Sequence, residues 1–315
     1  MENPIDALIA AAPYDAMTVA LVDDGVMQSW DITYLARESP ILRYRLQGEW
    51  DGNAGQADGY QRLEEVRALD GAPSLQGEIV MPRSNWEFAF QIDVDGDKQF
   101  VPYHGAPTAY ADGPSVPSMD GVAVDIASFT AGEAIPAQSF SLEQRVHARH
   151  PAKGETNLVK ISTVTTWTAD GKLAVTGNWE ALEDVTMGSA YGPMLPFSRD
   201  VFDRVGTDTA EEVEVDSVAE AKAEGEPVAE TVEIDGASAA LIQSSDTGWN
   251  AAIRWIRADE TLRAEANDDG HSDVFLQLRD DGIAKIYPQV WDQGETVTAG
   301  TTWEFAAEWI VTPSA

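Results

Sequence analysis

The stretch Leu158-Val-Lys-Ile-Ser-Thr-Val-Thr-Thr-Trp-Thr-Ala-Asp-Gly-Lys-Leu-Ala-Val-Thr-Gly-Asn-Trp179 decides the fold class. It holds two runs of β-branched and aromatic residues, Leu158 to Thr168 and Leu173 to Trp179, along which apolar and polar side chains alternate. Between them stands Asp170-Gly171. Glycine takes a positive φ without a Cβ clash, so Asp-Gly between alternating runs marks a tight hairpin. The same signature recurs outward in both directions, at Asp51-Gly52, Asp70-Gly71, Asp95-Gly96, Asp112-Gly113, Asp120-Gly121, Asp269-Gly270 and Asp281-Gly282. Further alternating runs lie at Trp86 to Val94, Val274 to Arg279 and Trp303 to Val311. Many short strands at such spacing predict an all-β chain, an antiparallel β-sandwich or its larger supersandwich form. Helix is expected only as a turn or two near Pro4 to Ala11 and near Arg199 to Arg204. No repeat of fixed period occurs, which argues against propellers and solenoids.

The 315 residues carry 54 Asp plus Glu against 20 Lys plus Arg, a formal charge of −34. With 43% hydrophobic residues and 10 Trp the chain can bury a large core, so it folds despite that charge. Such an excess repels phosphate backbones and anionic lipid surfaces, which excludes nucleic acid as a partner. No window approaches the apolar length of a membrane span, and residues 1–22 lack the basic start of a secretory signal. Synthesis in the cytoplasm is therefore expected. Zero cysteine removes disulfides, thiolate metal sites and thiol catalysis. The low lysine content beside a dense carboxylate surface suits salty surroundings, where counterions screen self-repulsion.

Ten acids and one lysine fall between Thr207 and Glu233, with almost nothing aromatic. Val213 to Asp216 and Val228 to Ile234 suit extensions of flanking strands, while Ala219 to Gly225 is too polar to own a core. Segment 207–233 thus reads as an acidic linker or loop. It divides the chain into an N-terminal arm (1–29), a large β lobe (30–206) and a smaller lobe (234–315) packed on the first.

Few residues suggest chemistry. Asp93, Asp95 and Asp97 alternate like the start of a calcium loop, but the required glycine position and the distal glutamate are missing. A plain hairpin turn is the stronger reading, and no cofactor is expected. His104 follows a strand in Val101-Pro-Tyr-His-Gly105 and precedes a Gly-, Pro- and Ser-rich loop reaching Pro117, a reasonable place for a general acid or a sugar contact. His147 and His150, three apart, would share a face on a helix but point to opposite sides of a strand. His271 reads as a turn residue. No nucleophile elbow, phosphate loop or zinc motif occurs, and among 54 acids no carboxylate pair stands out. The tryptophans, too many for two small cores, offer either core and subunit packing or platforms for sugar faces.

Three patches carry a resemblance: Asn85-Trp-Glu-Phe88 leading to Tyr103-His-Gly105; Thr165 to Leu173 with Tyr191-Gly-Pro-Met-Leu-Pro196; and Lys285-Ile-Tyr-Pro288 with Val297 to Trp303. Together this succession resembles β-sandwich virion proteins of tailed bacteriophages, whose large sandwich is similar to the supersandwich of sugar mutarotases and polysaccharide lyases. The resemblance implies a structural tail or fibre component, oligomeric, in contact with other virion proteins and a host surface glycan. It would be made in the host cytoplasm and carried in the virion. Trp86, Tyr103 and His104 would be the ligand contacts. An epimerase or lyase is the alternative, with His104 or His147 as the acid and no glutamate fixed by a motif, and a plain assembly adaptor is a third. A non-enzyme is favoured.

Overall fold

The computed structural model describes residues 4–25, 28–48, 61–72, 74, 76–82, 89–101, 109–209, 212–234, 237–256, 274–291 and 293–313. They form three sheets in which every pairing is antiparallel. The all-β sandwich reading stands. The first sheet runs Ile135–Ala137, Ala16–Asp23, Gln28–Ala36, Ser39–Gly48, Gln61–Ala68, Ile79–Met81. The long sheet is centred on Ser139–Ala148, Val159–Thr168, Lys172–Ala181, Thr302–Pro313 and Trp249–Ile256 in that spatial order. The third sheet runs Glu230–Glu233, Val274–Leu278, Ile283–Trp291, Val185–Tyr191, Ala89–Val94, Asp97–Val101, with Leu195–Ser198 added beside Ile283–Trp291.

The Asp-Gly turns behave as their chemistry requires. Asp95 and Gly96 both take positive φ, as do Asp120 and Gly121, and each pair closes a two-residue hairpin. A turn with no such signal is Arg37-Glu38, where two non-glycine residues sit at φ 50° and 68° between Ala36 and its partner Ser39.

Thr302–Pro313 pairs with Lys172–Ala181 on one side and with Trp249–Ile256 on the other, so the chain's last strand lies between residues far apart in sequence. One contiguous apolar core runs from Tyr14 to Val311 and takes side chains from all three sheets. This corrects the expectation that the tryptophans are too many to bury. The eight described ones, Trp30, Trp167, Trp179, Trp249, Trp255, Trp291, Trp303 and Trp309, are at most 7% exposed. A shared core has room that two separate ones lack, and its aromatics interlock, Trp179 with Trp291 at 4.7 Å and Trp291 with Trp303 at 5.3 Å between ring centroids. Among the described tryptophans none is left as an exposed sugar platform; Trp50 and Trp86 lie outside the described residues.

Helix Pro4–Ala10 forms as expected and lays Ile5 and Ile9 against Ala239, Ala252 and Ile310 on the outer face of the long sheet. The helix expected near Arg199 to Arg204 does not form: a turn at Asp200 and Val201 leads into strand Arg204–Thr207. From that turn the buried Arg199 guanidinium donates to the carbonyls of Asp216, Val228 and Arg279, tying it to three other segments. Within the acidic segment a helix appears instead at Val218–Glu224, closed by a Ser217/Glu220 capping box and by Gly225 in the left-handed conformation. Only Ala221 of that helix is buried.

Candidate functional site

The outer face of the long sheet is built by simple alternation. Odd positions of Val159–Thr168 and Lys172–Ala181 point to the core, Ile161, Trp167, Leu173, Val175 and Trp179 among them, so the even positions face outward. Register then sets them in rows. Tyr110, His147, Lys160, Glu180 and Thr302 form one row; Arg145, Ser162, Asn178 and Glu304 the next; Glu143, Val164, Thr176 and Ala306 a third. A groove of about 330 Å³ lies along this face, walled by Glu143, Ser162, Val164, Thr176, Asn178 and Glu304. Its floor passes Gly177, beneath which, on the core side, the Phe305 ring packs in place of a side chain. Glycine inside a strand marks such a close approach.

One row beyond Arg145 and Ser162 on the same face stands His147. Its Nε2 lies 3.9 Å from Asp112 Oδ2, and Lys160 Nζ lies 3.4 Å from the same oxygen. Two residues on, Arg149 sits 4.0 Å over the Tyr110 ring and donates to Asn157 Oδ1 at 2.6 Å. Imidazole, amine, carboxylate, phenol and guanidinium thus meet on a half-exposed surface. Hydroxyl, amide and carboxylate walls with small apolar spots, Val164 and Ala306, can hydrogen-bond a polyol and touch its C–H faces.

His150 lies beyond the strand, which ends at Ala148, as the N-cap of the 3-10 turn Pro151–Lys153, and is fully buried. Its Nδ1 accepts from the Ala152 N–H and its Nε2 donates to the Asp97 carbonyl, which fixes the tautomer and ties hairpin Ala89–Val94/Asp97–Val101 to the long sheet. Asp93, Asp95 and Asp97 sit in that hairpin, and Asp93 Oδ1 accepts from the Gly96 N–H at 2.7 Å. Among the described residues no group of three or more His, Asp or Glu is placed to hold a metal. Trp86, Tyr103, His104 and His271 lie outside the described residues.

A second polar place is buried between the first and long sheets. Gln144 accepts from the Gln61 N–H at 2.5 Å and donates to its carbonyl at 3.0 Å, beside Arg62, Thr163 and Trp167. The void there measures about 20 Å³, room for one water molecule and for no sugar ring.

The groove residues Ser162, Asn178 and Glu304 were not singled out by the sequence analysis. Polar residues at alternate strand positions look like any solvated face, and Gly177 was the available signal of something unusual there.

By its sheets this is an antiparallel all-β sandwich protein with an open polar groove on its longest sheet. No family model and no curated protein matches the chain. Solved structures similar to it include galactose 1-epimerase from Lactobacillus acidophilus, 8% identical, with 96% of this chain and 100% of that one covered at a TM-score of 0.44. The periplasmic domain of YidC from Thermotoga maritima is 12% identical over 94% of this chain and 87% of that one, at 0.33. Heparan sulfate lyase HepC from Pedobacter heparinus is 8% identical over 96% of this chain and 36% of that one, at 0.36. The strand pairings, not these scores, define the fold.

Proposed function

We propose that the protein contacts a neutral glycan through the outer face of its long sheet. The observation that carries this is the groove itself: its walls are hydroxyls, an amide and two carboxylates, and the next row of the same face holds His147 and Lys160, with Asp112 against both. Glu143 and Glu304 in the walls, on a chain of −34, favour uncharged saccharides over uronates or sulfated ones. The setting we propose is a tailed-phage tail or fibre, as a homo-oligomer beside other virion proteins; the sequence patches support it.

A glycan array with the full chain tests the binding. Neutral glycans should bind, and Ser162→Ala with Asn178→Ala should weaken the best of them at least tenfold, about 1.4 kcal/mol. Binding only to anionic glycans, or none at all, would overturn the reading. The epimerase or lyase alternative draws on His147 beside Asp112, an acid with a carboxylate to orient it. It predicts turnover of a bound glycan that His147→Ala abolishes, whereas the binding reading predicts no turnover. Recovery of the protein in purified particles tests the virion setting.

A further inference from the structure

Lys285 lies inside the third sheet, on strand Ile283–Trp291, with Gln277 as its cross-strand partner on one side and Pro196 on the other. It is 5% exposed, and no hydrogen bond or ion pair engages its ammonium among the described residues. Lysine is seldom buried to that degree without a counter-charge, since removing an ammonium from water is costly. The charged groups that act on it are Arg279, which repels it, and Asp281. Asp281 is already committed to Arg279, accepting from Nη2 at 2.8 Å and from Nε at 3.1 Å. Burial first, then Arg279, brings the amine down to about 8.

The surroundings supply further donors, and the cross-strand partner of Lys285 opens on a groove. Gln277 and Arg279 line an open groove of about 300 Å³ together with Glu230, Thr231 and Asp280. The Tyr287 hydroxyl, kept protonated by burial, donates to Gln277 Oε1 at 3.4 Å. With its oxygen accepting there, the Gln277 amide keeps its NH₂ for another partner.

The geometry points to an anion subsite, separate from the glycan groove, in which Lys285, Gln277 and Thr231 take the carboxylate group of a small ligand entering along this groove. A carboxylate accepts from two donors at once, matching an ammonium beside an amide NH₂. It also brings a single charge. Glu230 and Asp280 border the groove, so a phosphate dianion would meet twice the repulsion for the same contacts.

Lysine acylation under limiting reagent at pH 8, read residue by residue by mass spectrometry on the full chain, tests this. A carboxylate that pairs with Lys285 raises its proton affinity, and a rise of one unit from about 8 leaves roughly one fifth of the neutral amine. Sodium acetate should therefore slow acylation of Lys285 roughly fivefold relative to sodium chloride at equal ionic strength, with Lys153 and Lys222 unchanged. Acetate should also raise the Tm of the native protein but not that of Lys285→Met, which keeps the buried volume. No acylation of Lys285 at all, the same slowing by chloride, or stronger protection by inorganic phosphate would each overturn the subsite.

Discussion

Gly177 and Phe305 show how one absent side chain makes room in the core beneath the groove. A Cβ at Gly177 would stand 2.2 Å from Phe305 Cζ, so alanine there forces the ring aside. Gly177→Ala should cost about 1–3 kcal/mol by overpacking, and Phe305→Leu in the same chain should return most of it; urea unfolding of the four variants of the cycle measures the coupling. The Arg37-Glu38 turn makes the opposite case. Left-handed backbone costs a non-glycine residue about 1 kcal/mol, so Glu38→Gly should raise stability by a similar amount, read as a shift of the urea midpoint at unchanged slope. At this scale the sequence was legible where glycine chemistry spoke, at Asp95-Gly96 and Asp120-Gly121. It was silent at Arg37-Glu38, because there tertiary pairing of Gln28–Ala36 with Ser39–Gly48 overrides local preference.

Among elements, the outer face of the first sheet carries an ion-pair ladder. Asp31, Arg45 and Glu65 are cross-strand neighbours, with Arg43 and Arg67 flanking them. Arg45 grips Asp31 with two bonds of 2.7 Å, and Glu65 accepts from Arg67 at 2.9 and 2.6 Å and from Arg43 at 2.6 Å. The Arg67 bonds hold the Glu65 carboxyl below its ordinary range, burial opposing and Arg43 adding. A carboxyl depressed in the folded state contributes stability above its unfolded value, near 4.3, and that contribution is lost as pH falls through the lower folded value. Glu65→Gln should therefore cost about 1 kcal/mol at pH 7, with the two proteins drawing together in denaturant titrations as pH falls from about 4.3 through the lower folded value.

Arg199 carries a larger share. Replacing it with Met leaves the carbonyls of Asp216, Val228 and Arg279 without their donor, and should cost about 3 kcal/mol while hydrogen exchange quickens across 213–233. Strand positions were legible from alternation: Leu158 to Thr168 and Trp303 to Val311 fall within a residue or two of Val159–Thr168 and Thr302–Pro313. Which strands pair was not, since alternation names a face and never a neighbour. Helix Val218–Glu224 was hidden because it buries so little that no apolar stripe marks it, although its Ser217/Glu220 cap is plain in hindsight.

For the whole molecule, the net charge of −34 works against compaction, and salt should relieve it. Raising sodium chloride from 0.05 to 1 M is expected to lift the Tm by about 5 °C, whereas a fall would show that the ion-pair ladder outweighs global repulsion. The tryptophans were misjudged at this scale alone. Each was legible as an apolar strand residue, but that all three sheets share one core follows from pairings such as Thr302–Pro313 with both Lys172–Ala181 and Trp249–Ile256. With the described rings inside, the proposed glycan contact falls to the polar outer face. A crystal structure of the protein with a bound neutral oligosaccharide tests that most directly. The account predicts the saccharide lying over Ser162, Asn178 and Glu304, with one end toward His147; a saccharide bound elsewhere, with this groove empty, would contradict it.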